Sequence, residues 1–188
     1  LVQTERYQHK GNRFRVKINR QNIFDDGFQT LSQVEDLRST LMITFVNEYG
    51  IQEEGQDAGG IFKEFLVEIS KIIFEPNFGF FTKTEVEEDL YPNPSNSLYG
   101  HLSDDTILQY YEFFGKILGK AMFEGIQIEP QFAKFFLKRL ANKSNMISDL
   151  KFLDKDLFKN LNFLKTYDGN FEDLCLSFAC PEKDAITG

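Results

Sequence analysis

Tryptophan is missing from all 188 residues, histidine and cysteine occur twice each, and proline occurs five times. Two cysteines cannot carry a disulfide-built fold, and their scarcity makes a reducing, intracellular setting (cytoplasmic, nuclear or both) the expected one. Metal ligands are equally short. Cys175 and Cys180 have four residues between them, not the spacing of a zinc site, and His9 and His101 are remote in sequence. Neither a metal site nor a cofactor is expected. Positive charge is also short: 21 Lys and Arg against 29 Asp and Glu leave a net charge of −8. Phosphate neutralisation and anionic lipid both call for a basic stripe. Nucleic acid and membrane are therefore not expected partners. No apolar run approaches the roughly 20 residues of a bilayer span, and no signal peptide is visible.

What the chain does have is phenylalanine. Its 21 Phe equal the whole count of Lys and Arg, and hydrophobic residues reach 41%. That is globular composition, with a core to be built from Phe and aliphatics. The chain begins with Leu1 and stops soon after Pro181, so it reads as a piece of a longer protein.

Local patterns predict a mainly helical α+β chain with short strands and hairpins. Residues 13–19 (RFRVKIN) alternate Phe14, Val16 and Ile18 with basic residues, as a half-buried strand does. Residues 22–33 are expected to turn through Asp25, Asp26 and Gly27, with a short helix over 32–39 and a second strand over 42–48. An acidic, glycine-rich turn at 52–60 then leads, with Asp57 as cap, into a helix over 60–74 ended by Pro76. Its expected core stripe is Ile61, Phe65, Ile69 and Ile72, widened by Phe62, Leu66 and Ile73. Short strands are expected at 78–82 and 90–91, and 92–97 should be irregular. Ser103 is expected to cap a long helix reaching Glu124, with Ile107, Leu108, Tyr111, Phe114, Leu118, Ala121 and Met122 inward and Gly125 as stop. Pro130 should sit near the start of another helix reaching Ala141. Asp154 should cap a helix over 155–165, followed by a turn at 167–170 and a strand over 174–179.

Chemical motifs are mostly excluded by spacing. Gly55, Gly59 and Gly60 lack the Lys-Ser or Lys-Thr of a phosphate loop, and Glu53, Glu54 and Asp57 would repel phosphate. Gly115 and Gly119 read as close helix packing. Cys175 reads as a small packing residue on a strand, since nothing local would activate a thiol. No catalytic residue is nominated. The stretch 152–164 stands apart: Leu157, Leu161 and Leu164 make one stripe, while Phe158 and Phe163 lie off it. Pattern alone leaves open a helix packed between two layers or one that shows an apolar face to a partner.

Several ordered segments together resemble the HECT-type ubiquitin-protein ligases, on the side of the family outside the WW-domain group. Residues 57–65 (DAGGIFKEF) resemble D-x-G-G-[VIL]-x-x-E-[FW]. Residues 74–81 (FEPNFGFF) resemble F-x-P-x-x-G-x-F, and 91–94 (YPNP) the x-x-N-P that follows. Residues 113–121 (FFGKILGKA) resemble F-x-G-[KR]-x-[LVI]-[GA]-x-A. Residues 167–170 (YDGN) and 173–178 (DLCLSF) resemble Y-x-x-[DN] and D-L-x-L-x-F.

The resemblance implies the N-terminal lobe of a HECT domain. Its large subdomain would span about 13–150 and the start of a small subdomain about 151–188, with the C-lobe absent. The family's catalytic cysteine lies in that C-lobe, in a string L-P-x-[AS]-x-T-C-F that does not occur here. The fragment should therefore be inactive alone, although its parent would be a ubiquitin transferase. Implied partners are a ubiquitin-conjugating enzyme, ubiquitin, and protein substrates met through the parent protein. Positions matching the family's conjugating-enzyme groove are Leu157, Leu161, Tyr167, Leu174 and Leu176. Part of a regulatory ubiquitin-binding region falls at Leu90, Tyr91 and Asn93. The alternatives are a helical interaction adaptor without enzymatic activity, or a small-molecule enzyme with a pocket among the Phe-rich helices.

Overall fold

A computed structural model describes residues 13–36, 38–53, 60–95 and 102–177. The chain divides into two compact units, one within residues 1–78 and 100–130 and the other within 79–99 and 131–188. Both are mainly helical with short strands, an α+β architecture.

In the first unit, strand β1 (Arg13–Asn19) pairs in parallel with β2 (Thr40–Val46), in register from Arg13 opposite Thr40 to Asn19 opposite Val46. Alternation works as expected: Val16, Ile18, Leu41, Ile43 and Phe45 are buried. Parallel strands need a crossover, and helix α1 (Ile23–Leu31) lies within it. The expected turn at Asp25–Gly27 is thus a helix. Asp25 and Asp26 belong to its first turn, where carboxylates complement the helix dipole. Asp26 Oδ2 also accepts from Asn19 N–H at 2.7 Å. The helix expected over 32–39 is replaced by turns (Leu37 lies outside the described residues). The carbonyls of Ser32 and Ser39 accept from two lysine ammonium groups instead.

Those lysines come from α3 (Asp104–Glu124), capped by Ser103, whose Oγ accepts from Thr106 N–H at 3.3 Å, and ended by Gly125 at φ 67°. Lys116 Nζ reaches Ser32 O at 2.7 Å, while Lys120 Nζ reaches Ser39 O at 2.9 Å and Glu124 Oε1 at 2.7 Å. Lys120 is 2% exposed. The buried face is consequently Ile107, Phe113, Phe114, Ile117, Lys120 and Ala121, rotated from the expected stripe, and Leu108 and Met122 are exposed. Gly115 and Gly119 lie in open space, so they do not serve close packing. Helix α2 (Gly60–Ile73) buries Phe62, Phe65, Leu66, Ile69, Ser70 and Ile73, with Ile61 and Ile72 only half-buried. Asp57, Gly55 and Gly59 lie outside the described residues. An aromatic cluster joins α1 to α3: Phe28 meets Tyr110 at 4.5 Å, and Phe24 meets Phe78 edge-on at 4.8 Å.

In the second unit, β3 (Phe81–Lys83) and β4 (Leu90–Pro92) form an antiparallel hairpin. Leu90 N–H donates to Gln131 O at 2.8 Å, and Ala133 N–H donates to Leu90 O at 2.9 Å. Because 131–133 lie along β4, the helix expected from Pro130 starts later, as α4 (Lys134–Leu140). Phe80, Phe81, Leu90 and Ala133 are buried here, ringed by Phe132 and Phe136. A 3-10 helix (Ile147–Phe152) leads to α5 (Lys155–Thr166). The strand expected over 174–179 is not found at 174–177. Phe171–Leu174 is a 3-10 turn closed by Asn170, whose Oδ1 accepts from Glu172 N–H at 3.1 Å, and Cys175 follows at φ 49°. Residues 178–179, and Cys180 beyond them, lie outside the described residues. Cys175 is exposed, so it is not a packing residue.

Candidate partner-docking site

Helix α5 is fixed at its start by chemistry read directly from sequence. Asp154 Oδ1 accepts from Asp156 N–H at 3.1 Å and Leu157 N–H at 2.8 Å, satisfying two otherwise orphan donors. The preceding 3-10 turn is held by Asp149, a buried carboxylate. It accepts from Lys138 Nζ of α4 at 2.6 Å and from Met146 N–H at 2.8 Å. The Lys138 ammonium, then the Met146 N–H, hold the Asp149 carboxyl below the usual carboxylate range. Sequence reasoning missed this pairing. Its only trace was an acid three residues after the start of a short apolar run.

No residue of α5 is buried. Phe158, Leu161 and Leu164 are half-buried, while Leu157 is 44% and Phe163 54% exposed. The stripe Leu157, Leu161 and Leu164 is thus buried only in part and open at Leu157, and Phe163, off that stripe, is also open to water. Beyond it, Tyr167 and Leu174 are half-buried and Leu176 is 63% exposed. The structure sets Tyr167 between Phe163 and Phe171, at ring distances of 5.3 and 5.4 Å. Phe163 and Phe171 were not among the sequence-derived candidates.

The second candidate group falls on the hairpin. Leu90 is 7% exposed and belongs to the unit's core. Tyr91 is half-buried, 5.4 Å from the Phe135 ring, and burial, with Glu85 nearby, pushes its phenol above the usual range. Asn93 anchors the strand end: its Nδ2 donates to Gly79 O, and its N–H to Phe80 O, both at 2.9 Å. A surface cavity of about 560 Å³ beside the hairpin is lined by Lys83, Val86, Glu87, Glu88, Leu90 and Gln131, with no phenylalanine. It does not match a pocket among the Phe-rich helices. Among the described residues, no three His, Cys, Asp or Glu are grouped to hold a metal, and no helix is long and apolar enough to cross a membrane.

Residues 67–187 match the family described as HECT-domain (ubiquitin-transferase), and the chain belongs to that family. It is 43% identical over 169 residues to E3 ubiquitin-protein ligase UPL6 of Arabidopsis thaliana, covering 89% of this chain and 16% of that protein. It is 37% identical over 174 residues to ubiquitin-protein ligase E3B of Homo sapiens, covering 89% and 16%. With E3 ubiquitin-protein ligase HUL5 of Saccharomyces cerevisiae the identity is 36% over 175 residues, covering 89% and 18%. The chain thus spans less than a fifth of the length of these relatives.

Proposed function

We propose that this chain is the docking lobe of a ubiquitin ligase. It holds a ubiquitin-conjugating enzyme so that ubiquitin passes to a cysteine of a second lobe and then to lysines of protein substrates. In the first step the acceptor thiolate attacks the ubiquitin carbonyl and the conjugating enzyme's thiolate leaves. In the second, a substrate amine attacks the new thioester and releases the ligase thiol. The bound protein supplies position, not acid–base chemistry, so the lobe needs an apolar anchor site and no catalytic residue of its own. Neither Cys175 nor Cys180 lies in the string that carries the family's nucleophile. In this reading the chain alone carries no ubiquitin.

The observation that supports this reading is the incompletely buried apolar stripe of α5, exposed at Leu157 and half-buried at Leu161, continued by the half-buried Tyr167 and Leu174 and the exposed Leu176. A helix that keeps Leu157 in water after its core needs are met is built to bury it elsewhere. Leu157, Leu161, Tyr167, Leu174 and Leu176 form the proposed groove. In the complete natural protein, Leu157→Ala or Tyr167→Ala should weaken binding of a ubiquitin-conjugating enzyme about tenfold or more, equivalent to ~1.4 kcal/mol, with the melting temperature nearly unchanged. A lowered melting temperature with intact binding assigns these residues to the core and overturns the reading. Binding without any transfer of ubiquitin by the complete protein would indicate an adaptor instead. If ubiquitin itself meets the hairpin, the half-buried Tyr91 ring is what it touches, since Leu90 and Asn93 already serve the strand.

A further inference from the structure

Among the described residues, strand β1 pairs only with β2, so the backbone N–H and C=O groups along its other edge have no ladder partner there. The strand is also basic on its outward side. Arg13, Arg15 and Lys17 alternate with the inward Val16 and Ile18 and are all exposed, each roughly 6.5–7 Å from the next. Opposite them on β2 stand Thr40, Met42 and Thr44, none of them acidic. Arg20, just past the strand, gives the contrast: it donates to Glu53 Oε1 at 2.6 Å and to Glu64 Oε1 at 2.8 Å. Among the described residues, Arg13, Arg15 and Lys17 make no ion pair and no side-chain hydrogen bond. In a chain of net charge −8, three neighbouring cations thus stand without acids. Phe14, on the inward side with Val16 and Ile18, is still 39% exposed. A third strand on this edge would meet cations on one face and a part-open phenylalanine on the other.

We propose that β1 is an interaction surface for an extended acidic segment of a separate protein, which adds to the sheet as a third strand. Alternate residues of that segment are aspartate or glutamate, set beside Arg13, Arg15 and Lys17. The residues between them are apolar, and one covers Phe14. Backbone bonds along the edge hold the segment, and the side chains select it. Cross-strand pairs of opposite charge favour such a partner, while like charges directly opposite disfavour a second copy of β1 in the same place. A nucleic acid fits less well. Three cations neutralise few phosphates, and the 29 Asp and Glu of the chain repel the rest of a long polyanion. The inference is independent of the docking reading above, since it uses no residue of α5 or of the turn after it.

The test uses the complete natural protein and a labelled peptide in which glutamate alternates with valine, followed by fluorescence anisotropy at low and high salt. The peptide should bind, more weakly at high salt, and slow amide exchange at alternate positions within 13–19. The same peptide with lysine for glutamate should not bind. Proline at its central valines removes ladder bonds and should abolish binding. Arg15→Glu exchanges a favourable pair for a repulsive one and should weaken binding roughly fivefold or more. Arg15→Gln, with its melting curve, guards against a folding defect and should give a smaller loss. Arg13→Glu combined with Lys17→Glu should abolish binding. Equal binding of the proline peptide, or of one with its glutamates grouped together, reduces the site to plain charge attraction and overturns strand addition. Tighter binding of a single-stranded oligonucleotide or of phosphatidylserine vesicles through the same three residues overturns the choice of a protein partner. Failure of the glutamate–valine peptide to bind overturns the inference, and alternate amides within 13–19 already protected in the free protein would show that its own chain fills the edge instead.

Discussion

Gly27 sits inside α1, where alanine would ordinarily be favoured by ~1 kcal/mol. Here a Cβ would meet Ile69 Cδ1 at 2.7 Å and Phe65 Cζ at 3.4 Å, and both partners are fully buried in α2. Gly27→Val should therefore cost about 2–3 kcal/mol by overpacking, read as a lower urea midpoint; an unchanged midpoint would show that Ile69 turns aside freely. Gly60 is the contrasting case. It has open space and no positive φ, so Gly60→Ala should be neutral or slightly stabilising. Lys120 is the other decisive residue. Its ammonium is almost out of water, bonded to Ser39 O and Glu124, with the Phe62 ring 5.5 Å away. Lys120→Met removes a buried ammonium bonded to Ser39 O and Glu124 Oε1 and should cost ~3 kcal/mol in the same measurement. Lys116→Met, at a less buried site, should cost about 1 kcal/mol. Such a lysine cannot be placed from sequence, because a periodicity argument assigns every charge to the surface.

At the scale of elements, ends were legible and faces were not. The caps at Ser103 and Asp154 and the stop at Gly125 were readable because each needs only one residue type at one position. The inward face of α3 was misjudged by about a quarter of a turn, at ~100° per residue, since Lys120 and Phe113 point inward for reasons set by distant partners. The α1 helix was hidden by acids and a glycine that usually mark turns, and which here serve its first turn and its contact with α2. The 3-10 turn at Phe171–Leu174 overrode an apolar alternation because Asn170 offers the backbone a local partner. The junction of α4 with the 3-10 helix depends on the Asp149 carboxylate, whose native pKa lies below its unfolded value of ~4. The unfolded state thus binds its proton first as pH falls. The stabilisation is whole above about pH 5 and is lost as the pH drops through and below that range. Amide protection at Ile147–Phe152 should decline below pH 4, and Asp149→Asn should remove that pH dependence while lowering protection at neutral pH.

For the whole molecule, the family was legible because its motifs fall where backbone geometry is demanding: the hairpin, the capped helices and the turn at Tyr167. The proposed docking face has two sources. Leu157 and Leu161 were named by the resemblance and Phe163 stood out as lying off their stripe, whereas the place of Tyr167 between Phe163 and Phe171 comes only from the structure. Mixed with a conjugating enzyme charged with ubiquitin, this chain should gain no thiol-sensitive adduct by gel analysis; ubiquitin on Cys175 or Cys180 would contradict the assigned division of labour. The order of segments along the chain has a separate consequence, for biosynthesis. The hairpin β3–β4 lies between the two stretches of the first unit, yet the backbone that pairs with Leu90 comes from residues 131–133. A ribosome adding roughly 5–20 residues per second therefore exposes Phe81 and Leu90 for several seconds, while the first unit receives its last helix. During that interval the apolar side chains of the hairpin are open to a protease or a chaperone.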